Sequence, residues 1–233
     1  MEKQSKMATP IIPDNLVVFI CGVPGMGKTT ISYELLKKYD KFRIIEETDL
    51  VREILRGYND YLTKKFKGQI EFIFEQIRIT DHKTLLSFKD AKFQCEIMKA
   101  SLEQIVARQQ RKGISTIING VHIVPEVLAD MAQSKNIIFI NLYVTQKQEI
   151  YKRIFARDPK SYMLKHIPFI FQTNNDLRLS TEKMAIQYRN VFNVDVTELS
   201  IDSTTDLIVK YITNINFDTY NSLTPNWYYK VLR

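Results

Sequence analysis

The segment Gly22 to Thr29, GVPGMGKT, contains three of the seven glycines in the 233-residue chain and ends in a lysine and a threonine. A polyphosphate needs several backbone N–H groups that point into one concavity, and glycines let the backbone wrap the anion without obstructing Cβ atoms. A helix that begins after Gly27 adds the positive end of its dipole. The pattern G-x-x-x-x-G-K-[ST] therefore predicts a nucleoside triphosphate site, known as a P-loop.

The polar side chains of this loop have separate predicted roles. Lys28 can reach the β- and γ-phosphates as a point charge, so we predict a catalytic role for it, and the Thr29 hydroxyl is placed to bind Mg²⁺. The predicted cofactors are therefore ATP and Mg²⁺, with the preference for ATP over GTP left open. The predicted nucleotide-binding residues are Gly22, Pro24, Gly25, Met26, Gly27, Lys28, Thr29 and Thr30.

A second group of candidates follows the next predicted strand, in the sequence EETDLVREILR. The carboxyl ends of strands face the ligand crevice in this class of fold. Asp49 is predicted there as a catalytic residue that accepts the proton of an acceptor hydroxyl and as a ligand of Mg²⁺. Arg52 and Arg56 follow one and two helical turns later, so all three are predicted to bind an anionic acceptor. The alternative is that Asp49 only caps the helix and the arginines are surface charge.

Two more sets of residues could act on a phosphoryl group. Gly120 allows close backbone approach after the third predicted strand, and His122 lies just past it, so both are predicted to bind the acceptor. A lone histidine is more often a packed residue. The basic helix at residues 146–157 carries Arg153 and Arg157 on one face, which predicts a lid whose catalytic cations stabilise the transition state. The alternative is a solvated basic face.

These side chains must be positioned by elements that alternate between strand and helix along the chain. This order predicts an α/β fold with a doubly wound parallel sheet, that of a P-loop NTPase of the small-molecule kinase-like type. We predict strands at residues 16–21, 41–47, 114–118, 136–144 and 192–196, and helices at 28–39, from 49, from 91 to before 113, at 146–157, 174–189 and 203–212. A single domain at 1–233 would comprise a core at about 15–215, a helical insertion at about 58–111, a lid at about 153–175 and a tail at 214–233.

The composition indicates which partners and which cellular compartment to expect. The net charge of +7 is compatible with nucleic acid or with a phosphorylated small substrate. Cys21 and Cys95 lie in apolar stretches, which favours buried thiols in a reducing compartment over a disulfide or a metal site. No apolar run reaches membrane-spanning length, and no signal-peptide core follows the polar N-terminus. We therefore expect a soluble, cytoplasmic protein with no membrane partner; its oligomeric state is left open.

Three segments, GVPGMGKTT, TDLVREILR and NGVHIVP, occur in this order and resemble the motifs of the 2-phosphoglycerate kinase-like group of P-loop kinases. The resemblance covers roughly residues 15–215, and it implies that Asp49, Arg52 and His122 line the acceptor side of the crevice. The family has an acid where this chain has Asn119. An amide can accept a hydrogen bond from a metal-bound water but brings no charge. Asp49 and Thr29 would then hold the metal unaided, or turnover would be weak.

Three functions remain open at this point. The first is an ATP-dependent phosphotransferase that transfers the γ-phosphoryl group to a hydroxyl of a small anionic metabolite, 2-phosphoglycerate-like as the resemblance implies. The second has the same chemistry with a nucleoside or nucleic-acid hydroxyl, favoured by the basic charge, by KKFK at Lys64 to Lys67 and by the tail WYYKVLR. The third is a non-catalytic nucleotide-binding regulatory module. The aromatic residues of the tail, Phe217, Tyr220 and Trp227, are expected to pack on the body.

Overall fold

The computed structural model describes residues 14–66 and 87–215. Five strands form one sheet in the order β2-β3-β1-β4-β5, and every neighbouring pair is parallel. The strands are β1 (Val17–Cys21), β2 (Phe42–Glu47), β3 (Ser115–Asn119), β4 (Ile137–Tyr143) and β5 (Val191–Asp195). Each overlaps the apolar run that predicted it, which confirms the predicted doubly wound parallel sheet.

Helices cover both faces of this sheet. They are α1 (Lys28–Lys38), α2 (Thr48–Lys65), α3 (Phe88–Arg111), α4 (Ala129–Ala132), α5 (Lys147–Arg157), α6 (Ile167–Gln187) and α7 (Ile201–Asn214), with a 3₁₀ helix at Tyr162–His166 before α6. Helix α6 begins well before the predicted residue 174. The reason is that Pro168 occupies its first turn, where a missing N–H has no helical partner to lose.

Two apolar layers result, because successive strand residues point to opposite faces of a sheet. On one face α1 and α7 pack against the sheet, and on the other α3 and α6 do so. The first layer includes Val18, Ile20, Ile31, Leu35, Ile117, Ile140, Ile208 and Ile212. The second layer includes Phe19, Cys95, Met98, Leu102, Ile118, Phe139 and Leu177.

The region predicted as a helical insertion contains the end of α2 and all of α3. Ala91, Cys95, Met98 and Leu102 are buried as their spacing indicates, whereas Ile105 is only partly buried and Val106 completes the stripe. Residues 67–86, which include Lys67, lie outside the described part of the chain, and so does the aromatic tail. The division into core, insertion, lid and tail stays a prediction.

The described residues bear on the remaining expectations in part. No helix within residues 14–66 and 87–215 combines the length and apolarity needed to cross a membrane. Cys21 and Cys95 are both buried and free. Burial raises the pKa of both thiols, that of Cys95 to about 12, so neither is a reactive thiolate at neutral pH.

Candidate active site

A cavity of about 960 Å³ lies at the carboxyl ends of the strands. Its wall is formed by the loop after β1, the first turn of α2, the end of β3, helix α5 and the segment after β5. The sequence-predicted residues that line it are Pro24, Gly25, Met26, Gly27, Lys28, Thr29, Thr30, Asp49, Gly120, Arg153 and Arg157. The fold therefore brings the predicted nucleotide loop, the predicted base and the predicted lid cations to one place.

The glycines of the loop are required by its shape. Gly22, Gly25 and Gly27 have φ values of 136°, 87° and 80°, which residues with a Cβ rarely adopt. A Cβ on Gly22 would lie 2.4 Å from the carbonyl oxygen of Leu142, and one on Gly25 would lie 3.3 Å from Ile154 Cγ1. The loop is therefore a tight concave turn that fits the cradle of a polyphosphate, and it packs directly against α5.

Lys28 is the first residue of α1, and only 8% of its surface is exposed. Its Nζ donates a hydrogen bond to the carbonyl oxygen of Val23 at 2.9 Å. Burial lowers the pKa of Lys28 to about 8; the negative charge of Asp49 opposes this shift, and the positive charge of Arg157 adds to it. A buried ammonium beside a second cation is best stabilised by an anion, which is what a phosphate chain supplies.

Asp49 lies in the first turn of α2 rather than at its cap. The helix begins at Thr48, its N-cap residue is Glu47, and no side chain bonds to the cap, so the predicted capping role of Asp49 is wrong. Its side chain is 60% exposed and lines the cavity. The Asp49 carboxylate can therefore face a ligand instead of the helix backbone.

His122 is fully buried and is not part of the cavity wall. Its Nδ1 lies 3.0 Å from Thr48 Oγ1, and its Nε2 lies 3.4 Å from Arg52 Nη1. Because a guanidinium can only donate, Nε2 is the acceptor, and a neutral ring then carries its proton on Nδ1 and donates it to Thr48. In this arrangement His122 supports the first turn of α2, and its predicted contact with the acceptor stays a prediction.

The two predicted acceptor arginines converge on a carboxylate outside the cavity. Arg52 is buried, and its Nη2 lies 3.0 Å from Glu53 Oε1, while Arg56 Nη1 lies 3.2 Å from the same oxygen. The hydrogen bond from Arg52 holds the pKa of Glu53 below its usual range. Arg52 Nη1 also lies 3.8 Å from Asp49 Oδ1, so the guanidinium forms an ion pair with the Asp49 carboxylate. Neither arginine lines the cavity, and their predicted role stays a prediction.

The two predicted lid cations differ from each other. Arg153 is partly buried, and its Nη2 donates to the carbonyl oxygen of Val196 and lies 3.4 Å from that of Thr197. Arg157 is exposed and has no hydrogen bond or ion pair with any residue that the structure describes. Arg153 thus fastens α5 to the segment after β5, whereas Arg157 remains available to a ligand.

Two parts of the cavity wall were missed by the sequence reasoning. One is Glu47 at the end of β2, and the other is the segment after β5, where Val196, Leu199 and Ile201 add an apolar end. The signal was present for both, because the carboxyl ends of all strands in such a sheet face the crevice.

The donor set fits Mg²⁺ bound together with a nucleotide. Among the described residues, no group of three His, Cys, Asp or Glu side chains could hold a metal ion by itself. Mg²⁺ usually takes one or two carboxylates plus substrate phosphates and waters, so it needs no such group. Thr29 and Asp49 both line the cavity and could hold it. The Nδ2 of the nearby Asn119 is buried with no hydrogen-bond partner, which leaves a donor for a phosphate oxygen.

Fold and site together define a P-loop protein of the small-molecule kinase-like type. The parallel sheet, the glycine loop between β1 and α1 and the lysine and threonine that begin α1 are the features of this class.

Several archaeal proteins with curated names are similar to this chain. The chain is 24% identical over 212 residues to 2-phosphoglycerate kinase of Methanothermobacter thermautotrophicus, covering 85% of this chain and 65% of that protein. It is 23% identical over 222 residues to the protein of the same name from Methanococcus maripaludis strain C5, covering 87% and 67%. These matches confirm the resemblance that the three motifs predicted. The chain thus spans about two thirds of the length of these relatives.

The other comparisons add little. No family model matches the chain. Among solved structures, a gluconokinase from Sinorhizobium meliloti aligns with a TM-score of 0.49 and 12% identity, covering 85% of this chain and 91% of that one. Shikimate kinase from Acinetobacter baumannii aligns with a TM-score of 0.44 and 15% identity, covering 88% and 96%.

Proposed function

We propose that the protein is an ATP-dependent kinase that transfers the γ-phosphoryl group to a hydroxyl of a small anionic metabolite. The observation that carries this proposal is that one cavity contains the glycine loop, Lys28, the exposed carboxylate of Asp49 and the unpaired cation of Arg157. The printed name of the archaeal relatives supports a phosphorylated hydroxy acid, similar to 2-phosphoglycerate, as the acceptor.

The glycine loop and Lys28 would bind the phosphates of ATP. The backbone N–H groups of the loop and the first turn of α1 point their positive ends at the anion, and Lys28 adds a full charge. Thr29 and Asp49 would hold Mg²⁺, which when bound neutralises charge on the β- and γ-phosphates. The apolar residues Leu199 and Ile201 provide a surface for the base at the other end of the cavity.

Asp49 would orient the acceptor hydroxyl and accept its proton. The hydroxyl oxygen forms the new bond to the γ-phosphorus as the bond to the β-bridging oxygen breaks, so ADP leaves and the proton remains on the carboxylate. Arg52 and His122 would keep Asp49 in place from behind. Arg157 would stabilise the charge on the transferring group, because its guanidinium forms no hydrogen bond or ion pair with residues 14–66 or 87–215.

A screen of acceptors tests the function and separates the alternatives. ATP consumption would be measured with phosphorylated hydroxy acids, with nucleosides and with polynucleotide ends. Turnover with the hydroxy acids supports the proposal, and turnover only with nucleosides or polynucleotides supports the second function. ATP binding without turnover on any acceptor would contradict the proposal and favour the regulatory module. Within the described residues, Lys64 and Lys65 end α2 and Phe66 follows them, whereas Lys67 and the tail of the predicted nucleic-acid surface lie outside.

Two substitutions test the assigned residues. Lys28→Ala is expected to abolish ATP-dependent turnover, whereas Lys37→Ala on the exposed side of the same helix should leave it unchanged. Asp49→Asn should lower the turnover number about a hundredfold with little change in ATP affinity. A Lys28→Ala variant that still turned over ATP would refute the loop as the catalytic phosphate site.

A further inference from the structure

The end of β3 lacks a carboxylate on the cavity wall. Asn119 occupies this position, and it is only 3% exposed. Its Nδ2 is buried and has no hydrogen-bond partner among the described residues. An amide N–H cannot bind a metal ion, but it can donate to an oxygen anion that approaches it, and Asn119 is one of the residues that line the cavity.

Glu47 is the residue paired with Asn119 on the neighbouring strand. The parallel pairing of β2 and β3 aligns Ile45 with Ile117 and Glu47 with Asn119. Aligned residues on neighbouring strands point to the same face of the sheet, and the strands are about 4.8 Å apart. The side chains of Glu47 and Asn119 therefore leave the sheet on one side, one strand apart.

That side is the one that carries the glycine loop. Ile45 and Ile117 both pack in the layer that contains α1, so residues two positions further along each strand face α1 as well. Glu46 points the other way, where its Oε1 accepts a hydrogen bond from Gln109 of α3 at 3.2 Å. Glu47 lines the same cavity as Thr29, the second residue of α1.

The Glu47 carboxylate is not used by the protein itself. Within the described ranges it has no hydrogen bond and no ion pair, although it is partly buried. A partly buried carboxylate is stabilised by a cation or by hydrogen-bond donors, and a hydrated Mg²⁺ supplies both. Because Mg²⁺ keeps several waters, the carboxylate can act through a metal-bound water from the neighbouring strand.

We propose that Glu47 supplies the carboxylate of the Mg²⁺ site that Asn119 cannot supply, and that the Asn119 amide donates to a phosphate oxygen of the nucleotide. The carboxylate would then come from the end of β2, one strand away from Asn119 at the end of β3. This inference rests on the proposed function, because it places the metal beside the phosphates held by the glycine loop.

Metal binding gives a readout that does not depend on turnover. Mn²⁺ affinity would be measured by electron paramagnetic resonance in the presence of a non-hydrolysable ATP analogue. Glu47→Gln is expected to weaken Mn²⁺ binding at least about tenfold, the scale seen when an outer-shell partner of a metal is removed. Glu46→Gln, one residue away and on the opposite face, is the matched control and should change the affinity less than about twofold.

A variant that swaps the acid and the amide between positions 47 and 119 tests whether both positions can serve the same metal site. The double variant Glu47→Gln with Asn119→Glu is expected to regain Mn²⁺ affinity lost in Glu47→Gln alone. Unchanged affinity in Glu47→Gln, equal losses in Glu46→Gln, or no recovery in the double variant would each overturn the proposal. Binding of the analogue at a saturating concentration of Mg²⁺ is measured in parallel. If that binding is absent in the wild-type protein, the proposed function fails; if it is present, only the role of Glu47 is in question.

Discussion

Gly120 and Thr48 are so close that a Cβ on Gly120 would lie 1.7 Å from Thr48 Oγ1 and 2.8 Å from Thr48 Cβ. The end of β3 is therefore in direct contact with the first residue of α2. Thr48 Oγ1 also lies 3.0 Å from His122 Nδ1. Since Asp49 is the next residue, its position at the cavity depends on this contact.

Gly120→Ala is expected to destabilise the protein and to displace Asp49. Rotation of the Thr48 side chain can move Oγ1 away, but the contact of 2.8 Å with Thr48 Cβ remains in every rotamer. The backbone of β3 or α2 must therefore move, at a cost of about 1–3 kcal/mol in the free energy of unfolding. The turnover number should fall more than ATP affinity, because the glycine loop is on another strand. Chemical denaturation and steady-state kinetics measure the two effects.

Gly57→Ala is the matched control for this substitution. Gly57 lies in α2 and is exposed, and a Cβ there would meet nothing within 4 Å. Alanine is favoured over glycine inside a helix by up to about 1 kcal/mol, so this variant should be as stable as the wild type or more stable. If Gly120→Ala were as stable as Gly57→Ala, the tight contact would not exist in solution.

Lys28 should take up protons when a nucleotide binds. In the free protein burial lowers its pKa to about 8, so near pH 8 about half of the molecules carry a neutral lysine. A bound polyphosphate favours the charged form and raises this pKa. The complex then holds more protons than its separate components, and ATP affinity must fall as the pH rises through about 8.

Calorimetry in two buffers with different ionisation enthalpies measures this uptake directly. At pH 8 we expect uptake of about half a proton per bound nucleotide, given a pKa near the buffer pH. In Lys28→Arg the guanidinium stays protonated throughout, so the uptake should disappear. Equal uptake by both proteins would show that another group is responsible.

The parts of the fold predicted from the sequence are those in which local pattern and tertiary role coincide. The apolar run at 16–21 became β1, and the spacing of Ala91, Cys95, Met98 and Leu102 identified the buried stripe of α3. The glycine loop was recognised because its shape depends on residues adjacent in sequence. These signals are local, because each of them depends on residues that are close together in the sequence.

The parts not predicted depend on pairing between distant elements. Glu47 could be placed opposite Asn119 only once the register of β2 and β3 was known. Asp49 was expected to cap α2, but the N-cap residue is Glu47, two positions earlier, and Asp49 is the second residue of the helix. The spacing of Arg153 and Arg157 predicts that they lie on one face of the helix. In the structure, only Arg153 donates a hydrogen bond to the carbonyl oxygen of Val196. Their different partners could not be read from spacing.

Arg157→Ala and Arg153→Ala are expected to have different effects. Loss of Arg157 should lower the turnover number about a hundredfold and leave stability unchanged, because its guanidinium makes no hydrogen bond or ion pair with a described residue. Loss of Arg153 should lower the free energy of unfolding by about 1.5–3 kcal/mol, since it removes a charged donor from the Val196 carbonyl. Kinetics and denaturation of both variants measure the contrast.

Lys152→Ala is the control on the same helix, as Lys152 is exposed and, in the part of the chain that the structure describes, pairs only with Glu149 at 2.7 Å. A surface pair of this kind contributes about 0–1 kcal/mol, so both measured quantities should stay near the wild-type values. If Arg157→Ala lost stability and kept its turnover number, the assignment of the two arginines would be reversed.

Asn174 joins α6 to the end of β4 through both atoms of its amide. Its Nδ2 donates to the carbonyl oxygen of Val144 at 2.9 Å, and its Oδ1 accepts from the Val144 N–H at 3.2 Å. The side chain is 1% exposed, so both hydrogen bonds are shielded from solvent. Asn174→Ala would leave two buried backbone groups without partners, and we expect the free energy of unfolding to fall by about 1–3 kcal/mol.

Gln172→Ala provides the comparison, because Gln172 lies on the same helix and makes a single exposed hydrogen bond, to Asp176 at 2.9 Å. Surface substitutions of this kind change stability by less than about 0.5 kcal/mol. Urea denaturation of both variants gives the difference. Similar midpoints for the two would mean that the end of β4 does not depend on α6, and the long helix after the 3₁₀ turn would then be held by its apolar face alone.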